Sequence, residues 1–538
     1  MSSLPDPIAD GLARGWKVHG PGGNAPPPRE LECDVAIVGS GAGGGVTAEI
    51  LARNGLAVVI VEEGPLASSR GFRMREADAY PALYQEGAAR KTRDKAVNIL
   101  QGRCVGGSTT VNWTSSFRTP EPTLAFWRER FGLAEFTPEA LAPWFAQAEE
   151  RLSIADWPVP PNENNAILRR GAQALGIDAP GIRRNVKGCA NLGYCGTGCP
   201  VNGKQSMLVT TLPAALDLGA RLLVRARAWQ LIVDGGRPAG LEVRWLDDTG
   251  RETSARSIVR ARHYVLAGGA INTPALLLRS GCPDPDRRIG RHTFLHPTLV
   301  CAATFDTPVD GFQGAPQTVY TDHFLRTHPI DGPLGFKLEA PPLHPLLFAT
   351  TTQGFGAEHA ARMRQFRNTH ALIALLRDGF HPGAPGGRVE LLDDGSPVLD
   401  YPLTGAVFEG ARRALLAMAE IQFAAGARTV LPVHEAAREY RSWGEARAAI
   451  AALPMEPLRL RVVSAHVMGG CAMSAERARG VTRPDGRLHL LEQVSVHDGS
   501  LFPTSIGANP QLSIYGIVAR MANALAGSLT GRAARGLV

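Results

Sequence analysis

The sequence predicts an α/β fold: a Rossmann-type dinucleotide-binding domain, split along the chain, with an α+β substrate-binding domain inserted into it. Three observations carry this expectation. Between Cys33 and Glu62 an apolar strand runs into a glycine-rich turn, a helix and a second strand. Glycine-rich text with isolated polar residues returns near the end of the chain, so the first domain closes only there. Residues 300–460 lack nucleotide signatures and mix short strands with one helical run, which suits a second domain.

In chain order, residues 1–30 read as an N-terminal extension, with Pro26-Pro-Pro28 a stiff lead into the first strand. Residues 31–299 form the first part of the cofactor domain. Val35–Val38 is buried-strand text, Gly43–Asn54 fits a helix, and Leu56–Val61 is a second strand ending at Glu62. A helix is expected over Leu212–Leu218, alternating strand text over Arg221–Trp245, and a buried strand at Tyr264–Ala270 before a turn and helix. The substrate domain, 300–460, carries a helix over Phe408–Phe423. Residues 461–538 return to the cofactor domain and end in an apolar helix, Leu512–Leu529.

A chain of 538 residues has room for two or three domains, and 44% apolar against 20% charged residues is ordinary for a globular protein with a large core. The net charge of +7 comes from scattered residues without a Lys/Arg block, which argues against nucleic-acid binding. Met1–Gly23 has no apolar h-region and does not read as a signal peptide. No uninterrupted apolar run reaches the roughly 18 residues needed to cross a bilayer. Eight cysteines without a secretory signal point to a reducing compartment, and the expectation is cytoplasmic.

Gly39, Gly41 and Gly44 give the G-x-G-x-x-G spacing between strand and helix. The first glycine makes the turn, the second lets backbone N–H groups approach a pyrophosphate, and the third allows close helix packing. The helix N-terminus adds its partial positive charge. Glu62, at the end of the second strand, can accept from ribose hydroxyls. The motif by itself does not separate NAD from FAD.

A second glycine run, Gly102-Arg-Cys-Val-Gly-Gly-Ser-Thr-Thr-Val-Asn112, is another place where backbone must pass close to something flat or anionic. It is followed in order by Leu266-Ala-Gly-Gly-Ala-Ile-Asn-Thr-Pro274, Gly290-Arg-His-Thr-Phe-Leu-His-Pro297, Val496-His-Asp-Gly-Ser-Leu-Phe-Pro503 and Gly507-Ala-Asn-Pro510. This ordered set resembles the glucose–methanol–choline (GMC) oxidoreductases, FAD enzymes that oxidise alcohols. The resemblance runs from residue 31 onward and is weakest over 300–460.

The resemblance implies FAD in the cradle. Gly106, Gly107, Ser108 and Asn112, with Trp113 and Thr114, match positions that line the flavin in that family. Asp498 and Gly499 match a late pair that closes over the FAD phosphates and ribityl chain, Pro510 belongs to the same C-terminal motif, and Trp229 falls near the strand whose backbone meets the adenine. Relatives often carry further glycines after the Asn, whereas this chain has Trp113-Thr-Ser-Ser116. No His precedes the Gly-Gly-Ser as in covalently flavinylated relatives, so non-covalent FAD is expected.

Alcohol oxidation needs a base or oxyanion partner at the hydroxyl and a carbon held near the flavin that accepts the hydride. His466, in Ser464-Ala-His-Val-Met-Gly-Gly-Cys471, resembles the active-site His of cholesterol oxidase-like members and is expected to be the catalytic base. Asn509 resembles their partner Asn. A His suits because its unperturbed pKa lies near working pH. The plain alternative is a hydrogen-bonded core histidine.

Cys189, Cys195 and Cys199 sit in one glycine-rich loop, 188–200. The spacing leaves three readings open: structural thiols or a local disulfide, ligands of an iron–sulfur cluster, or zinc, which wants a fourth ligand. The loop resembles that of bacterial FAD-dependent glucose dehydrogenases, which implies a 3Fe-4S cluster. Related loops also occur in long-chain alcohol oxidases without that role.

The sequence therefore predicts FAD-dependent oxidation of a hydrophobic primary or secondary alcohol, with oxygen, a quinone or a cytochrome as electron acceptor. The rivals are a sugar dehydrogenase passing electrons through the Cys loop, and a non-redox lyase that keeps FAD structurally.

Overall fold

The computed structural model describes residues 5–538; residues 1–4, the start of the expected extension, lie outside the described residues. The cofactor domain is built on a mixed sheet whose spatial order is Lys17–His19, Arg221–Leu223, Val58–Val61, Glu30–Val38, Glu252–Leu266, Arg237–Leu246 and Ala226–Asp234. The Val58-Val-Ile-Val61 strand is buried along its whole length, as a parallel strand covered on both faces must be. It pairs in parallel with the glycine-turn strand, Val38 opposite Val61. Helix Ala42–Arg53 completes the βαβ unit.

The far side of the sheet is closed by a strand from the end of the chain. Val494–Val496 pairs in parallel with Tyr264–Leu266. Residues 5–30 are integrated rather than trailing: helix Pro7–Ala13 is capped by Asp6, and Lys17–His19 forms the sheet edge.

A second, mostly antiparallel sheet forms the other half of the molecule. Its order is Tyr320–Thr321, Phe336–Glu339, Thr369–Leu376, Thr298–Thr304, Val462–Ser464 and Val97–Ile99, with Thr429–Pro432 also on Thr298–Thr304. Strands from 97–99 and 462–464 thus join this sheet from outside 300–460. Helix Gly405–Ala424, N-capped by Thr404, packs on it and replaces the shorter span expected there.

The last helix, Gln511–Thr530, is the one described helix long and apolar enough to cross a membrane by length and composition. It is instead an internal element, packed on Ala42–Arg53 and Pro138–Arg151 with most of its residues buried.

Candidate active site

A cavity of about 1360 Å³ runs between the two sheets, from Glu62 and Trp229 at one end, past both glycine runs, to His466 and Asn509. The two glycine runs meet. A Cβ on Gly107 would lie 2.8 Å from the Cα of Gly41, and Gly107 itself holds φ +53°. Gly106 donates its N–H to the Ser40 hydroxyl, tying the second run to the first. At Gly44 a Cβ would lie 2.0 Å from the Gly39 carbonyl oxygen, so this glycine sets helix-to-strand packing, while Gly39 and Gly41 line the cavity.

Helix Ala42–Arg53 has no side-chain cap, and its first residues, Ala42 and Gly43, line the cavity. Its N–H groups are therefore left for a bound anion. Glu62 is buried and lines the cavity, but its carboxylate already accepts from Ser40 N–H, Ser40 Oγ and Gly64 N–H. Burial outweighs these bonds and holds its pKa above the usual range. The residues fit a dinucleotide: two facing glycine turns, a free helix N-terminus and a long cavity with an acid at one end.

Further along, Trp229 is flanked by the Arg244 and Arg279 guanidinium groups at 3.6 and 4.4 Å from its ring centre. Its carbonyl accepts from Arg279 Nε. Asp498 is buried and fastens neighbouring elements, accepting from Gly269 N–H, Thr273 Oγ1 and the N–H and hydroxyl of Ser500. Gly499 lines the cavity beside it.

Ser108, Asn112, Trp113 and Thr114 all line the central part. Thr114 takes φ +68°, a left-handed conformation costly for a β-branched residue. Its hydroxyl accepts from the buried Arg184, which also bonds the Trp113 carbonyl, so a buried cation supports the conformation that a glycine would adopt freely.

The cysteine loop lies directly behind this run. Buried Lys204 donates to the carbonyls of Thr110, Asn112 and Cys195 at 2.6, 2.9 and 2.7 Å, and Tyr84 Oη donates to Gly196 O. Burial pushes the Lys204 pKa down to about 8, against the pull of nearby thiols. Cys189, Cys195 and Cys199 form no disulfide, and no His/Cys/Asp/Glu group among the described residues is arranged to hold a metal. The local disulfide does not form, and the iron–sulfur and zinc readings find no support among the described residues; the loop is tied to the cavity wall by Lys204 at the Cys195 carbonyl and by Arg184 near the Cys195 Sγ.

At the far end His466 is half-buried and faces the cavity. Burial pushes its imidazole pKa down to about 4, with Glu339 opposing and Lys337 assisting. Its Nδ1 lies 3.3 Å from Nδ1 of the buried His296, whose Nε2 accepts the Gly507 N–H at 3.0 Å. A neutral His296 must then carry its proton on Nδ1 and donate it to His466. His466, which lines the cavity, in turn holds its proton on Nε2. Asn509 is buried at the same end. Its Oδ1 accepts from Lys337 Nζ at 2.8 Å, and its Nδ2 donates to Glu339 Oε2 at 3.3 Å.

Sequence reasoning missed His296, Lys337 and Glu339. His296 stood in a quoted motif without a role. Lys337 and Glu339 are two apart on strand Phe336–Glu339 and so share a face, but nothing local told which face was buried.

Beyond His466 the cavity becomes apolar. Thr298, Val300 and Ala302 alternate along one strand opposite Leu375, Ile373 and Ala371 of its neighbour. Helix Pro345–Thr351 closes this channel from above with Leu346, Leu347 and Phe348.

Two family models, both described as GMC oxidoreductase, match residues 80–298 and 382–517. The chain belongs to the GMC oxidoreductase family. This oxidoreductase is 30% identical over 500 residues to an uncharacterized GMC-type oxidoreductase of Sinorhizobium fredii, covering 92% of this chain and 95% of that one. It is 28% identical over 515 residues to a long-chain-alcohol oxidase of Arabidopsis thaliana, covering 91% and 68%. Among solved structures, formate oxidase superposes with a TM-score of 0.67 at 16% identity, covering 94% of this chain and all of the other. Pyridoxine 4-oxidase from Mesorbium loti gives 0.66 at 18%, covering 91% and 98%. At those identities the structures speak for the shared FAD-binding fold alone, and the GMC oxidoreductase is a flavoprotein by family.

Proposed function

We propose that this enzyme oxidises a hydrophobic primary or secondary alcohol to an aldehyde or ketone, with non-covalent FAD in the long cavity. FAD, when bound, accepts the hydride from the alcohol carbon. The observation that carries the reading is the apolar sheet-floored channel ending at His466 and Asn509. The named activity of the Arabidopsis relatives agrees with it.

In this reading His466 holds the alcohol oxygen. The proton placement set by His296 supports the oxyanion role rather than the base expected from sequence: His466 offers Nε2–H, and Asn509 offers the N–H not taken by Glu339. Two donors lining the same end of the cavity favour the alkoxide and ease loss of the hydroxyl proton to water. Glu62 and the helix N-terminus orient the dinucleotide, and the channel excludes water around the chain of the alcohol. A cytoplasmic location is part of the proposal, supported by cysteines that form no disulfide among the described residues. Oxygen is the proposed acceptor, in keeping with the oxidases named among its relatives.

The test is anaerobic addition of a series of primary alcohols to the FAD-loaded protein while flavin absorbance is followed. Bleaching should be faster with medium- and long-chain alcohols than with ethanol or glucose. Bleaching by glucose alone, or by no alcohol, would overturn the reading.

A further inference from the structure

We infer that Lys337 and Glu339 are positioning residues that fix the carboxamide of Asn509, so that its free N–H faces the alcohol oxygen. The inference rests on the proposed alcohol oxidation and adds the device that sets this donor's direction.

The three side chains form a closed ring. Lys337 Nζ lies 2.8 Å from Glu339 Oε1 and 2.8 Å from Asn509 Oδ1, and Asn509 Nδ2 lies 3.3 Å from Glu339 Oε2. Both charged side chains are almost fully buried. An ammonium can only donate and a carboxylate can only accept, so the amide has one orientation compatible with both. In it Oδ1 points at the lysine, one N–H at the glutamate, and the second N–H is what Asn509 has left for the cavity it lines. Reversing the amide would set N–H against ammonium and carbonyl against carboxylate.

The surroundings hold the ring still. Lys337 Nζ sits 3.2 Å from the centre of the Phe117 ring and 4.6 Å from that of Tyr320, and Gln317 donates to Glu339 Oε2. Two charges buried in a core contribute little net stability compared with well-packed apolar residues. Their fixed geometry toward one amide is the property an apolar pair cannot supply. The same strand holds both residues two apart, so the ring is set by backbone rather than by a mobile loop.

The experiment replaces the pair together, Lys337→Met with Glu339→Met, which avoids an orphaned buried charge. With FAD content equal to wild type, flavin reduction at saturating alcohol should fall on the order of 10- to 100-fold, less than the roughly hundredfold or more for outright loss of an oxyanion donor, because the amide is misdirected and not removed. In an Asn509→Ala background the same pair should cost nothing further, because the ring acts through Asn509. Reduction at the wild-type rate, or a full additional loss in that background, would overturn the inference. A crystal structure of the double variant is the readout that does not depend on activity or folding yield of less conservative changes. Asn509 should be found rotated or in two orientations, and an unchanged amide would refute the assignment. Absence of bleaching in the wild type would instead count against the alcohol reading, leaving the structural readout to decide the positioning role.

Discussion

His296 Nε2 accepts the Gly507 backbone N–H at 3.0 Å, and this one bond dictates where the proton of His466 resides. Gly507 belongs to the motif that carries Asn509, so the loop that supplies one donor also fixes the tautomer of the other. His296→Ala should therefore slow anaerobic flavin reduction tenfold or more with FAD content preserved. Measuring the two together separates it from a folding defect; an unaltered rate would detach His296 from the reaction.

Removing the imidazole itself should be more severe. His466→Ala is expected to lower flavin reduction roughly 100-fold or more, the size usual for an oxyanion donor or acid–base group. FAD occupancy should not change, because His466 lies at the substrate end. Asn509→Ala should cost less, since it removes one neutral hydrogen bond. Stopped-flow reduction of the variants is the check.

The pH dependence follows from burial. The folded pKa of His466 is depressed to about 4 from 6.5, so the neutral form persists as pH falls and is lost only on approaching 4. Flavin reduction should thus change little between pH 7.5 and 5.5. A limb centred near 6.5 that disappears in the His466 variant would show a solvated imidazole instead.

The meeting of the two glycine runs gives a prediction about cofactor binding. Gly107→Ala places a methyl against the Gly41 backbone at a φ that only glycine adopts cheaply. Backbone strain of this kind costs about 1–3 kcal/mol, and here relief comes from widening the cradle. The variant should purify largely without FAD and melt earlier, with added FAD restoring little.

The cysteine loop yields the last test. Lys204→Met removes the ammonium's hydrogen bonds to the Thr110, Asn112 and Cys195 carbonyls at once and should destabilise the protein by several kcal/mol. Changing Cys189, Cys195 and Cys199 together to Ser should leave flavin reduction and reoxidation near wild type, and the native protein should contain no stoichiometric iron. Iron lost along with reoxidation would restore the electron-relay reading.

The cofactor half was readable because its signals are local. Val58-Val-Ile-Val61 and the spacing of Gly39, Gly41 and Gly44 specify a strand, a turn and a helix from neighbouring residues alone. The substrate half was not. Lys337 is a surface residue by type, and only pairing of its strand with Thr369–Leu376 turns it inward beside Glu339. The Thr114 position shows the same limit: without glycine the sequence left the local shape open, and the support comes from Arg184, seventy residues away. The cysteine spacing allowed metal, disulfide or free thiol, and nothing local announced that the thiols are free and that Lys204 and Arg184, from outside the loop, contact Cys195.

The pairing of Val494–Val496 with Tyr264–Leu266 has a consequence for how the protein is made. A ribosome that has delivered the first 300 residues has released the whole glycine cradle, yet the parallel sheet still lacks a neighbour on one side. Helix Ala42–Arg53 likewise waits for Gln511–Thr530 to cover it. The nascent chain must keep this apolar surface from sticking elsewhere while more than two hundred residues are added. The cofactor domain is thus completed only after the whole substrate domain has been synthesised, however early its cradle is written in the chain.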